Sequence, residues 1–399
     1  MRSDIPLEPE TKAVARGPDW PGQADPEKNF RFYDNRQKYL MFVNTCSEKW
    51  VVAQRAAAEM ESLTPHPPAL RVFDAGMGDG TVLTRLMRTM HARYERIPFY
   101  IVGKEISLED VRLTLEKMPD RFYEHPNTVL VVTNMHYAEA PWLTPHGGAE
   151  VEWKEVALRG RTASEFDAEI ERLQPFLSEN WRARVSKKSG NPIYEQPVVL
   201  VLYREDCKFL LDQVLPRQNA PKADYDLVLA SQPYRARATT EFKARRVVAP
   251  LARALAPGGR LLGIHSHGAD PALEIVQKVW PGEQPFISDR HALLAATRDE
   301  LGDQALGFTF MAGTDDQSIF RYDMHTLPGE IECGAAASIG TSTLWAAWNA
   351  ATYVAQIEDE RLGEAMATDA YLTATRDVLR RRGGLWFYDE SFVIARRAV

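Results

Sequence analysis

Residues Val72 to Gly80 read VFDAGMGDG. An apolar strand ends in an acid, Asp74, then Gly76, Gly78 and Gly80 alternate before a helical pattern that carries Leu83, Leu86, Met87 and Met90. Alternating glycines let the backbone turn sharply from strand to helix and let a ligand lie against it with no Cβ in the way. That combination constrains the chain to a βα unit with a crevice beyond the strand's carboxyl end. The spacing is GxGxG, and Thr81 occupies the position where the fingerprint GxGxxG has its last glycine, which weakens a dinucleotide reading.

Short apolar segments of β type recur at Leu70 to Phe73, Phe99 to Val102, Thr128 to Val132, Tyr225 to Leu229 and Arg260 to Ile264, each separated by helical pattern. The alternation predicts an α/β fold: a doubly wound, mostly parallel Rossmann-like sheet with helices on both faces. Three pieces stand outside that rhythm. A polar, Pro-rich arm (residues 1–29) precedes a helical segment (30–68), which reads as one helix from Asn35 to Leu63. An insertion (149–222) separates the third and fourth core strands. A helical addition with a final strand, Leu385 to Ala395, closes the chain (329–399). The core divides into a cofactor half (69–148) and a second half (223–328).

The second core strand ends in Glu105, a carboxylate suited to the two hydroxyls of a ribose, and the third in Asn134, suited to an adenine edge. With the acid–glycine loop and the helix, Pro-Gly-Gly turn and strand of LAPGGRLLGI, these segments resemble the class I S-adenosylmethionine-dependent methyltransferases, over roughly half the chain. The resemblance implies S-adenosyl-L-methionine as cofactor. On this sequence the cofactor-binding roles fall to Asp74, Gly76, Gly78, Gly80, Glu105, Asn134 and Ser231.

Ser231-Gln232-Pro233-Tyr234, after the fourth core strand, resembles the (Asn/Asp/Ser)-Pro-Pro-(Tyr/Phe) motif of amino-group methyltransferases, with Gln232 in place of the first proline. The fifth strand ends in His265 and His267, two residues apart and so on one side of a strand. A neutral imidazole there can take a proton from an acceptor, and the same pair also reads as a polar turn. Ser231, Gln232, Tyr234, His265 and His267 are therefore the candidate catalytic residues. No further cluster at ligand spacing accompanies the histidines, so no metal site is expected. The aromatic stretch Phe30 to Phe42, with Tyr33, Asn35, Arg36 and Tyr39, reads as a lid over the site. Arg182, Arg184, Lys187 and Lys188 in the insertion read as a solvated surface, and Arg380 to Arg382 as a helix end.

The 399 residues carry 48 Lys and Arg against 55 Asp and Glu, a formal charge of −7 and the wrong sign for enveloping nucleic acid by bulk electrostatics. Cys46, Cys207 and Cys333 form no CxxC pair, which fits a reducing cytoplasm. No apolar run approaches the ~18 residues that cross a bilayer. The expectation is a cytoplasmic methyltransferase of a small-molecule acceptor, nitrogen slightly favoured over oxygen, with no membrane or nucleic-acid partner and a homodimer left open. The rivals are a nucleic-acid or protein methyltransferase docking through the insertion, transfer of another group from the same cofactor, and a non-catalytic partner subunit.

Overall fold

The apolar runs expected as core strands all form strands, the first four one or two residues longer than the pattern that announces them and the fifth extended to Leu255–Ser266. The computed structural model describes residues 36–186, 192–325, 331 and 339–398. The polar arm, the stretch from Phe30 to Asn35, Lys187, Lys188 and Cys333 lie outside the described residues, as does the side chain of Arg36.

The strands are β1 (Leu70–Asp74), β2 (Phe99–Lys104), β3 (Thr128–Thr133), β4 (Glu152–Leu158), β5 (Ala183–Val185), β6 (Pro192–Tyr194), β7 (Val198–Arg204), β8 (Tyr225–Ser231), β9 (Leu255–Ser266), β10 (Phe308–Met311), β11 (Ile319–Asp323) and β12 (Trp386–Arg396). The main sheet has 10 strands and runs β10-β12-β9-β8-β1-β2-β3-β7-β4, with β11 also paired to β12. The five central strands β9, β8, β1, β2 and β3 are parallel. β12 is antiparallel to β9, and β10 and β11 share the outer edge of β12 end to end.

Successive residues of the central strands feed opposite layers. Val72, Ile101, Leu130 and Leu227 pack on one face. Phe73, Val102, Val131 and Val228 pack on the other. Continuous apolar runs are the signature of strands covered on both sides, and β1 and β3 are buried along their whole length. The doubly wound Rossmann-like sheet is therefore present. Reversal of strand order at β1 opens the crevice beyond the carboxyl ends of β1 and β8.

The insertion joins the main sheet, and one element departs from expectation. β7 runs antiparallel to β3 and carries β4, so both prolong the main sheet, and only β5 and β6 form a sheet of their own. The N-terminal segment is two helices, α1 (Arg36–Thr45) and α2 (Glu48–Glu59). The break arises because the chain pairs with β11 there. Cys46 bridges to Met324, and Ser47 N donates to Asp323 O at 2.9 Å while Asp323 N donates to Ser47 Oγ at 3.0 Å. The interruption sets the first turn of α2 beside the strand ends.

A third apolar cluster holds these parts together. Phe42 of α1 packs with Tyr322 of β11, Phe387 of β12, and Trp348 and Tyr353 of the helix Thr341–Val354. Among the described residues no helix is long and apolar enough to cross a membrane.

Candidate active site

β1 delivers Asp74 to the crevice with 3% exposure, and its Oδ1 accepts from Gly76 N at 3.2 Å. Burial pushes the Asp74 carboxyl up to about 7, with the charge of Glu105 adding and the Gly76 bond and Lys49 opposing. Gly80 caps α3 (Thr81–Arg93) in the left-handed conformation at φ 77°, where a Cβ would lie 2.7 Å from Thr114 Oγ1. A Cβ on Gly76 would meet nothing within 4 Å. The first glycine therefore faces free space and the last faces protein.

The Tyr39 hydroxyl of α1 lies over this loop, donating to Asp79 Oδ1 at 3.5 Å. Asp79 also accepts from Lys117 Nζ at 2.8 Å and from Thr81 Oγ1 at 2.5 Å, which hold its carboxyl below the usual range against its burial. Lys49, in the first turn of α2, has its Nζ 3.4 Å from Glu48 Oε2. Burial disfavours its charge, yet Glu48, Tyr39 and Asp79 keep the ammonium well above its ordinary value.

Glu105 ends β2 and spans the mouth of the crevice. Its Oε2 accepts from Gly78 N at 3.1 Å, and its Oε1 from Ile106 and Ser107 N at 2.7 and 2.9 Å. The Trp181 indole of the insertion donates to Glu105 O at 3.2 Å. Asn134, 1% exposed, gives both ends of its amide to the insertion: Nδ2 donates to Gln196 O at 2.9 Å and Oδ1 accepts from Val198 N at 2.8 Å. With its amide spent on β7, an adenine contact here would fall to neighbouring backbone groups.

Across the crevice, β8 ends at Ser231 and the backbone turns through Gln232 at φ 48°. A left-handed glutamine is uncommon and costs roughly 1–2 kcal/mol, so its surroundings must hold it. They do: Gln232 Nε2 donates to Ser266 Oγ and Asp389 Oδ1, both at 3.2 Å, and Tyr137 Oη donates to Pro233 O at 2.6 Å. Those bonds restrain the loop where the missing proline would have done so.

Tyr234 and His265 are one hydrogen-bonded chain. Glu390 is only an acceptor, so His265 Nε2 carries the proton donated to Glu390 Oε1 at 2.8 Å, and Nδ1 accepts from the Tyr234 hydroxyl at 2.6 Å. Burial lowers the His265 imidazole below its ordinary range, which keeps it neutral as this tautomer requires. Glu390 also accepts from Arg290 N and from its guanidinium, both at 2.9 Å. Burial alone would raise its carboxyl, but His265 and Arg290 bring it down to about 2. His267 Nδ1 lies 3.7 Å from the same carboxylate, so the two histidines do share one side. Lys243, whose ammonium burial lowers to about 8, sits 5.1 Å over the Tyr234 ring. Gln232, Tyr234, Lys243, His265 and Ser266 line one small hollow.

The predicted residues thus converge on the strand ends, Asn134 with its amide bonded to the insertion. Sequence reading missed Glu48, Lys49, Asp389, Glu390 and Arg290. For Asp389 and Glu390 a signal exists, since two adjacent carboxylates inside the apolar run WFYDESFVIA demand partners once buried. For Glu48 and Lys49 none exists, because a Glu-Lys pair on a helix ordinarily faces water.

No family model matches the chain, and no curated protein matches it. Among solved structures it is similar to a Galdieria sulphuraria protein provisionally described as a sarcosine dimethylglycine methyltransferase, at 9% identity and TM-score 0.35 over 88% of this chain and 85% of that one. It is similar to phosphoethanolamine N-methyltransferase 2 of Haemonchus contortus, at 10% identity and TM-score 0.29 over 93% of this chain and 60% of that one. A geranyl diphosphate methyltransferase matches at 12% identity and TM-score 0.31, over 87% and 76%. Likenesses this distant carry no argument. The strand order and site geometry stand by themselves, and the fold they define is the Rossmann-like sheet implied by the resemblance to class I S-adenosylmethionine-dependent methyltransferases.

Proposed function

We propose that this chain is an S-adenosylmethionine-dependent methyltransferase of a small-molecule acceptor, with nitrogen favoured over oxygen as the target. The observation that carries the reading is the meeting of the β1 glycine loop with Glu105 across two parallel strand ends, beside a buried Asp74 and Lys49. The residues fit the cofactor. Gly76 leaves room for it, Asp74 and Lys49 offer opposite charges to the two ends of an amino acid, and Glu105 suits a ribose.

S-adenosylmethionine supplies a methyl carbon made electrophilic by its sulfonium. The acceptor's lone pair forms the new bond to that carbon as the carbon–sulfur bond breaks and its electron pair passes to sulfur. A primary or secondary amine then gives up one proton. The chain's work is alignment and exclusion of water, with Gln232 and Tyr234 bordering the acceptor. Tyr234, His265 and Glu390 provide a route by which one proton can leave: the Tyr234 oxygen takes the amine's proton as its own hydroxyl proton passes to a neutral imidazole that an ionised carboxylate stabilises.

The test is incubation of the full chain with methyl-labelled cofactor and a metabolite pool, with mass detection. A product gaining one labelled methyl is expected. A gain of the aminocarboxypropyl group, or no calorimetric binding of the cofactor, overturns the reading.

A further inference from the structure

Three buried polar groups from three elements converge without hydrogen-bond partners. Glu48 in the first turn of α2 is 4% exposed, Asp389 of β12 is 0% exposed and Tyr322 of β11 is 1% exposed. Glu48 Oε2, Asp389 Oδ2 and the Tyr322 hydroxyl each make no hydrogen bond. Register explains the convergence. Tyr322 is paired with Phe387 and Phe320 with Asp389, so Tyr322 and Asp389 are diagonal neighbours on one face. Ser47, bonded to Asp323, places Glu48 against the same end of β11.

The charges there do not balance. Asp270 adds a third carboxylate, already satisfied by Leu273 N at 2.8 Å and Tyr388 N at 3.1 Å. Burial first, then the charges of Glu48 and Asp270, drives the Asp389 carboxyl well above the usual range. Lys49 is the ammonium next to this cluster, and it is shared with Asp79 and Asp74 of the glycine loop. His267 also bears on Asp270. Glu48 Oε2 has the Lys49 ammonium at 3.4 Å but no hydrogen bond, Asp389 Oδ2 has no donor, and buried acceptors so poorly served are costly.

We propose that Glu48 and Asp389, with the Tyr322 hydroxyl, form an ammonium subsite, and that the acceptor is a small amine which binds there as its ammonium and gives up one proton to a carboxylate before its freed lone pair attacks. The inference rests on the methyltransferase reading and names its substrate class. Aromatic rings wall the subsite: Tyr322 stacks on Phe387 at 4.9 Å and meets Phe42 edge-on at 6.2 Å, and such faces attract cations. Gln232 joins it to the acceptor loop, since the amide that bonds Asp389 belongs to a half-exposed residue lining the hollow before Tyr234.

The experiment measures the unfolding midpoint of the full chain against tetramethylammonium or ethylammonium chloride, with potassium chloride at equal ionic strength as reference and S-adenosylhomocysteine affinity followed in parallel by calorimetry. A saturable rise with an ammonium salt beyond the potassium reference is expected. Asp389→Asn should raise the midpoint of the free protein, by relieving repulsion, and weaken the ammonium response at least tenfold while leaving S-adenosylhomocysteine affinity within about twofold. Tyr322→Phe, which removes only the hydroxyl, should weaken the response severalfold and serves if Asp389→Asn does not fold. No excess over potassium, or a response untouched by a folded variant, overturns the subsite. S-adenosylhomocysteine binding without an ammonium response sinks the subsite and spares the methyltransferase reading; the converse spares the subsite alone.

Discussion

The glycines of one loop do different work, and single substitutions should separate them. At Gly80 an alanine must adopt φ 77° and place its Cβ 3.0 Å from the Thr114 backbone, so Gly80→Ala should cost about 2–4 kcal/mol in urea unfolding, strain and crowding together. At Gly76 the Cβ meets open space, so Gly76→Ala should leave the midpoint within about 0.5 kcal/mol while weakening cofactor affinity in calorimetry. Equal stability losses would mean that both are packing residues. Tyr234 and His265 call for the opposite treatment. Read from sequence they are alternatives, a ring that packs on an amine acceptor and a base for a hydroxyl acceptor. Joined at 2.6 Å they are one device, so Tyr234→Phe and His265→Gln should each lower turnover by on the order of 10²-fold, and the double variant by little more. Multiplying effects would show two independent roles. Sequence identified both residues because motif position does not depend on geometry, but their bond depends on the pairing of β8 with β9, which no local pattern displays.

At the scale of elements, strands were easy to read where burial is two-sided and hard where the sheet continues past its core. β2 and β3 announce themselves as apolar runs, and β1 as one interrupted only by Arg71. β7 does too, but nothing local says that it pairs antiparallel with β3, so the insertion read as a separate region. The helix break at Cys46 was invisible for a related reason: apolar spacing continues through it, and the cause is a pairing with β11 nearly three hundred residues away. At Asn134 such a distant pairing changes a residue's role. An asparagine after the third strand suggests an adenine contact, yet here its amide fastens the insertion. Asn134→Ala should strand Gln196 O and the buried Val198 N, costing about 1–3 kcal/mol in denaturant unfolding. Cofactor affinity measured on the folded variant should change by less than about threefold. A large affinity loss at unchanged stability would restore the adenine role and imply that the amide turns when the cofactor binds.

Across the whole molecule the site is closed by parts distant in sequence, and Glu390 is where they meet. It holds His265 of β9, the backbone and guanidinium of Arg290 at the start of the helix Arg290–Leu301, and through His265 the Tyr234 loop. All of these bonds favour the ionised carboxylate, which is why its carboxyl is drawn from 4.5 to about 2. A carboxyl depressed by folding contributes stability that is complete above its unfolded value and fades as pH falls through its folded value, so this contribution should disappear between about pH 4.5 and 2. Glu390→Gln removes it at every pH and leaves the Arg290 guanidinium buried beside a neutral amide, with exposed Asp315 as its remaining anionic partner and Ala312 O still accepting from Nε at 3.0 Å. Near pH 7 the variant should be less stable by about 3–5 kcal/mol, the usual result of removing one member of a buried pair. On acidification the wild-type protein should lose stability faster than the variant, because other depressed carboxyls such as Glu283 and Asp79 titrate in both and cancel. The gap between their unfolding midpoints, followed from neutral pH to about pH 2.5, should therefore narrow steadily below about pH 4.5. A gap that stays constant over that range would mean that folding does not depress the Glu390 carboxyl, and a gap that widens on acidification would mean that Glu390 is protonated in the native protein, so that the neutral His265 that accepts from Tyr234 would lose the charge proposed to stabilise it.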